Sequence, residues 1–254
     1  MAAEEKIIGD NPEDNEIQGE MTFLEHLEEL RWRLIYAIIG VVIGAVICGI
    51  FIDYIIDFIL LLPAKKVGAD LQNLKPFGQV FLYFEVALIC GIIVSIPNLF
   101  LQLWKFIAPA LHKSERRYIL AIVIFSSFCF ITGLLFAYFI MLPTVMDFAA
   151  GFGTKTIKNQ FSIDEYVSIV MSIMLAAGLI FELPMISFFL SKLGILTPKI
   201  MRKYRRHSII VIMIIAAFLS PGTDPVSQIL LAIPLVILYE ISILVSKFSS
   251  KRLA

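Results

Sequence analysis

Phe106-Ile-Ala-Pro-Ala-Leu-His-Lys-Ser-Glu-Arg-Arg-Tyr118 is a short polar connection between two long apolar runs. A connection of this kind sits at a membrane surface, because each flanking run is long enough to cross a bilayer as a helix. With the adjacent Lys105 it carries four cations, Lys105, Lys113, Arg116 and Arg117, which points to the cytoplasmic side. One carboxylate, Glu115, is set among them. A loop that only joins two helices has no need of this composition. The stretch therefore marks a candidate binding site that faces the cytoplasm.

The rest of the chain agrees with a membrane setting. It has 254 residues, 59% of them hydrophobic and 17% charged, and a mean hydropathy of +0.89. A soluble domain is nearer ~25% charged. The expected class is all-α, a polytopic membrane protein with six transmembrane helices. The spans are read as Leu34 to Ile52, Val80 to Trp104, Tyr118 to Leu142, Val167 to Leu190, Ser208 to Leu219 and Ser227 to Val245. An even number puts both termini on one side. With the termini inside, the inner flanks hold 15 cations and the outer flanks 5, so both termini are expected in the cytoplasm. Trp32 and Trp104 fall at inner ends and read as interface anchors.

Residues 1–20 carry seven carboxylates against the single cation Lys6 and read as an acidic, disordered tail ahead of a six-helix domain over 21–254. They have no basic start and no early apolar segment, so they do not read as a cleavable signal peptide. Cys48, Cys90 and Cys129 all lie inside apolar runs and read as packing residues, not as disulfide or metal ligands.

Two outer connections, roughly 53–79 and 143–166, are long. Asp53, Asp57 and the apolar residues between them suggest a short helix on the outer surface, which Pro63 is expected to end. The fifth span is unusual. Its 12 apolar residues make a helix only ~18 Å long, against a hydrocarbon thickness of ~30 Å. Either it borrows flanking residues or it marks a thin region of bilayer.

Thr22-Phe-Leu-Glu25 matches a capping box and starts a helix that runs into the first span. Leu24, Leu27, Leu30 and Leu34 give it an apolar face. Glu25 and Glu29 share another face, and Glu29 and Arg33 are spaced to pair at i, i+4. The plain alternative is an amphipathic helix with solvated charges. Glu182 lies inside the fourth span and is followed by Pro184. A carboxylate at a span centre costs at least ~2.5 kcal/mol. Pro184 cannot donate to the carbonyl of Ile180, so a kink is expected there. Function is the default reading for Glu182, and a protonated, internally bonded carboxyl is the alternative. Glu85 reads as structural, and Pro97 and Pro234 as helix kinks. No phosphate-binding loop or zinc motif stands out. His26, His112 and His207 are dispersed on cytoplasmic flanks. Neither an enzyme nor a nucleic-acid binder is expected, and no cofactor or metal.

The chain resembles TatC, the multispanning receptor of the twin-arginine protein translocase. The likeness covers 21–245 and rests on His26-Leu-Glu-Glu-Leu-Arg-Trp-Arg-Leu34, Phe106-Ile-Ala-Pro-Ala-Leu with Glu115-Arg-Arg117, Phe136-Ala-Tyr-Phe139, Phe181-Glu-Leu-Pro184, and Ala232-Ile-Pro with Tyr239-Glu240. It implies a protein of the bacterial-type inner membrane that binds twin-arginine signal peptides of folded cargo at the cytoplasmic face. It implies TatA-like and TatB-like single-span partners, self-association in a receptor complex, and transport driven by the proton-motive force. By resemblance, Glu29 and Glu115 form the arginine-pair site, and Arg31 and Phe106 match other functional positions. Glu182 matches an intramembrane acid associated with the partner helices, and Pro63 and Asp224 match positions in outer segments. Glu85 departs from the Lys common at that place. The residues also leave room for a solute or proton-coupled transporter with a Glu85, Glu182 and Asp224 relay, or for a scaffold without a ligand.

Overall fold

Long apolar runs can satisfy their backbone in lipid only as helices, and helices are what the chain forms. The computed structural model describes residues 23–108, 119–151, 160–192, 194–219 and 225–250. The acidic tail, Thr22, Glu115 with its neighbouring cations, and Asp224 lie outside the described residues.

Helix α1 runs over Phe23–Ile50. The connection that follows holds the short α2 (Ile52–Tyr54), wide π-type turns over Ile55–Leu60, α3 (Leu62–Val67) and the strand β1 (Leu71–Gln72). Helix α4 spans Gly78–Ile107. Helix α5 (Ile119–Phe136) passes through π-type turns at Ala137–Met141 into α6 (Leu142–Gly151). The strand β2 (Phe161–Ser162) leads into α7 (Ile163–Ile180) and α8 (Leu183–Lys192). Helices α9 (Pro198–Lys203), α10 (Arg205–Leu219) and α11 (Pro225–Ser250) complete the chain.

Among the described residues five segments are long and apolar enough to cross a membrane: Leu24–Ile50, Gly78–Ile107, Ile119–Gly151, Ile163–Lys192 and Leu231–Phe248. The remaining span, fifth in chain order, is α10, which has 15 residues and is ~22 Å long. The expectation of a short fifth span is met.

Small residues set how closely the helices approach, as packing in lipid requires. Along α1 and α4, Gly44 and Gly91 lie against each other. A Cβ added to Gly44 would stand 2.6 Å from the Gly91 carbonyl oxygen, and one added to Gly91 would stand 2.5 Å from the Ala45 nitrogen. Polar rungs continue the seam inward. The Ser95 hydroxyl donates to the Gly40 carbonyl at 2.6 Å, and the Asn98 amide to the Tyr36 carbonyl at 3.2 Å. Gly133 on α5 makes the matching approach to the Ala177 carbonyl of α7.

The two long connections correct two expectations. Pro63 opens α3 instead of ending a helix, and the turn is closed at Gly68 in the left-handed region at φ 71°. Proline is cheap in a first helical turn, where its missing N–H has no intrahelical partner to lose. Its cost falls on the carbonyl of Ile59, four residues back, which the Tyr138 hydroxyl serves instead at 2.8 Å. The next carbonyl, Leu60, accepts from the buried Tyr166 hydroxyl at 2.6 Å. Among its described residues the connection expected over 143–166 is also mostly helix, because α6 carries the third membrane helix on to Gly151. The two long connections join where β1 pairs in parallel with β2, Leu71 opposite Phe161 and Gln72 opposite Ser162. Lys75 and Asp164 add an ion pair at 3.3 Å.

Trp104 is a third correction. It is not an interface anchor: it is buried, edge-on to Phe189 of α8 with ring centroids 5.1 Å apart. Trp32 is half exposed and suits the interface role.

Candidate functional site

The N-terminal end of α1 lies beside the C-terminal end of α4. Between them runs a groove of about 510 Å³ lined by Glu29, Trp32, Arg33 and Tyr36 from α1 and by Gln102 and Lys105 from α4. The helical repeat explains the lining, since positions 29, 32, 33 and 36 fall on one face. The pair expected at i, i+4 is present. Glu29 Oε1 accepts from Arg33 Nε at 2.9 Å and also from Arg33 Nη2. Glu29 Oε2 is buried and has no hydrogen-bond partner among the described residues. His26 Nδ1 stands 3.9 Å from it. The His26 ring is stacked on Phe106, centroid to centroid 4.4 Å and 15° from parallel. Glu29 and Phe106, read from distant parts of the sequence, therefore meet through His26.

Arg31 is not brought into this cluster. It lies two residues from Glu29, about 200° around the helix, is exposed, and does not line the groove. The sequence reading also passed over His26 and Trp32 as site residues. A signal for both was available, since each lies at i±3 from Glu29.

Glu182 belongs to another part of the molecule. Helix α7 ends at Ile180, and Phe181 and Glu182 form a tight turn before α8. The Phe181 N–H donates to the Ala177 carbonyl at 3.0 Å and the Glu182 N–H to the Leu179 carbonyl at 3.2 Å. The break at Pro184 follows from the donor that proline lacks. The Glu182 side chain is only 5% exposed. It faces α5, where Ser126 and Cys129 are its polar neighbours. Among the described residues no well-formed hydrogen bond reaches its Oε1 or the Ser126 hydroxyl. Phe136 packs on Phe181 with centroids 5.6 Å apart, so two of the sequence segments that carried the resemblance are in contact. An open apolar groove of about 500 Å³ lies one turn away, with Phe125 of α5 and Met185 and Phe188 of α8 among its walls. Pro63 lies elsewhere, buried in the connection between α1 and α4.

Comparison with known proteins gives a consistent result. The family model described as Sec-independent protein translocase protein (TatC) matches residues 25–234. A Sec-independent protein translocase protein TatC from Blattabacterium sp. subsp. Periplaneta americana is 35% identical over 92% of this chain and 98% of its own length. The protein of the same description from Aquifex aeolicus is 36% identical over 91% of this chain and 97% of its own length. A crystal structure described as the twin arginine translocase receptor TatC superposes with a TM-score of 0.78 at 36% identity, covering 89% of this chain and all of that one.

Proposed function

The chain belongs to the TatC family, and we propose that it binds the arginine pair of a signal peptide at the inner end of α1, with Glu29 as one receptor carboxylate and Glu115 as the other. It is a multi-pass protein of the bacterial inner membrane and a translocase component, not an enzyme. The observation that carries the proposal is Glu29, fixed by Arg33 on the wall of a groove that the peptide can enter from the membrane surface. Each arginine of a pair offers a planar fork that bonds a carboxylate in two places, which a lysine does not. The placing of the groove and both termini in the cytoplasm is supported by 15 inner cations against 5 outer ones.

Binding of a twin-arginine peptide and of a twin-lysine peptide to the purified protein tests the reading. The first should be retained and the second not. Losing a charge-assisted pair costs ~1.5–3 kcal/mol, so Glu29→Ala and Glu115→Ala should each weaken binding by about tenfold or more. Wild-type affinity in both variants would refute the assignment.

TatA-like and TatB-like single-span proteins are the proposed partners, with Glu182 as a polar contact for a partner helix and self-association building a receptor complex. Pro63 and Asp224 are proposed to shape the outer segments. The support for Glu182 is a buried carboxyl at a break in the helix, its Oε1 without a hydrogen-bond partner among the described residues, one turn from the open groove at Met185. Glu182→Gln keeps shape and hydrogen bonding, whereas Glu182→Ala keeps neither. Site-specific cross-linking to the partner helices should be reduced more by Ala than by Gln, with peptide binding intact. Undiminished cross-linking in the Ala variant would leave Glu182 as a packing residue only.

A further inference from the structure

We infer that one guanidinium of an arginine-pair peptide takes the place that His26 fills in the resting chain, between the ring of Phe106 and the second carboxylate oxygen of Glu29. The inference rests on the reading of Glu29 as an arginine receptor and adds how the seat is built and what occupies it beforehand.

Both oxygens of Glu29 are covered in the resting chain. Oε1 is taken by Arg33 through two nitrogens. Oε2 is buried and unbonded, with the imidazole of His26 over it. An incoming guanidinium must therefore displace one of the two. Arg33 is the harder to move, because it makes two charge-assisted hydrogen bonds on its own helix. His26 makes none to Glu29: 3.9 Å is too long for a hydrogen bond. Among the described residues, what holds it is the stack on Phe106. Its side chain is 40% exposed, so it can swing into water without crossing packed structure.

The imidazole occupies the seat in the manner of the proposed ligand. Both groups are flat and delocalised, and both carry N–H donors at the rim. A guanidinium stacks on an aromatic face as the imidazole does. Its fork extends farther, so it bonds Oε2 at a normal distance while keeping the Phe106 contact. The exchange replaces a long contact with a charge-assisted hydrogen bond and keeps the stack. A lysine ammonium has no plane to lay on Phe106 and gains less from the same exchange. His26 is thus an internal stand-in for the ligand, and Phe106 is the platform that reads planarity.

The test uses the full chain in detergent with fluorescent twin-arginine and twin-lysine peptides. His26→Ala removes the stand-in and leaves the seat, so the twin-arginine peptide should bind about threefold to tenfold more tightly, the range an aromatic stack is worth. The twin-lysine peptide should gain less. Phe106→Leu should weaken the twin-arginine peptide both alone and combined with His26→Ala. A purely structural role for His26 lowers affinity on removal and cannot raise it. Unchanged or weaker binding in His26→Ala, or an equal gain for twin-lysine, overturns the inference. Glu29→Gln separates the two levels of the argument. If it loses binding while His26→Ala gives no gain, Glu29 remains a receptor and only the stand-in is wrong. If Glu29→Gln binds like wild type, the reading of Glu29 fails and this inference fails with it.

Discussion

Gly91→Val should loosen α1 from the rest of the molecule and abolish arginine-pair binding at a site more than two helical turns away. The reason lies in what a side chain at 91 would meet. Its Cβ would stand 2.5 Å from the Ala45 nitrogen and 2.6 Å from the Ala45 Cα, both backbone atoms that cannot rotate aside. Relief requires the two helices to move apart. Helix α4 is the principal partner of α1, and much of the remaining apolar surface of α1, including Val42, Ile43, Val46 and Ile47, is left exposed for lipid. Separation therefore also strains the rungs from Ser95 to Gly40 and from Asn98 to Tyr36. Overpacking of this kind costs ~1–3 kcal/mol, equivalent to a drop of roughly 2–12 °C in melting temperature. The functional loss should be larger than the stability loss. The candidate site needs Glu29 from one helix and Phe106 from the other in register, and a shift of about an ångström is enough to spoil such a site. Gly91→Ala should fall between wild type and Val. Melting in detergent and titration with a twin-arginine peptide measure the two effects. Wild-type values for both in the Val variant would show that α1 moves outward freely and that the seam does not position the site.

The sequence carried the membrane helices because each is a long apolar run between charged flanks. It also carried the Glu29–Arg33 pair, which depends only on spacing within one helix, and the break at Glu182, which depends only on the missing donor of Pro184. What it did not yield depends on contacts between distant segments. Trp104 was read from its place at an inner end, but Phe189 of α8 covers it, and no local pattern announces that. Pro63 was read as a stop because the donor for the Ile59 carbonyl comes from Tyr138, 79 residues on. The strand pairing of Leu71–Gln72 with Phe161–Ser162 is too short to have a period. The α1–α4 seam was legible in part, since Gly40-Val-Val-Ile-Gly44 has the small-residue spacing that brings membrane helices together. Which helix it faces was not. At the candidate site, Glu29 and Phe106 came from resemblance, and their meeting through the His26 ring came only from the fold.

Lengthening α10 should stop transport without touching peptide binding. The helix has 15 residues, ~22 Å, against ~30 Å of hydrocarbon. Its N-terminal end is fixed, because Arg205 pairs with Glu240 of α11 at 2.5 Å and the Tyr239 hydroxyl holds the Met201 carbonyl just before it. The middle is also tied, by Gln228 to the Met213 carbonyl at 3.0 Å. The helix therefore has little freedom to slide across the bilayer. A helix buried among its neighbours would leave the lipid unaffected, but α10 is not buried. Ile212 and Ala216 face the core, whereas Ile209, Ile210, Val211, Ile214 and Ile215 are 40–59% exposed. Lipid must meet this short apolar stripe and thin to match it, at a cost that rises with each ångström of mismatch. We propose that the thinned strip lowers the barrier for cargo crossing beside the chain. Seven apolar residues inserted after Met213 would add ~10 Å and return the exposed face to within ~20° of its original direction. Relief of mismatch over that length changes the membrane deformation by several multiples of RT, so transport should fall at least about tenfold. Alanines at Ile210, Val211 and Ile214 keep the length and alter only the exposed side chains, and should cost far less. Export of a folded reporter by membrane vesicles, with peptide binding and protein level measured in parallel, decides the point. Full transport by the lengthened protein would remove any role for a short α10.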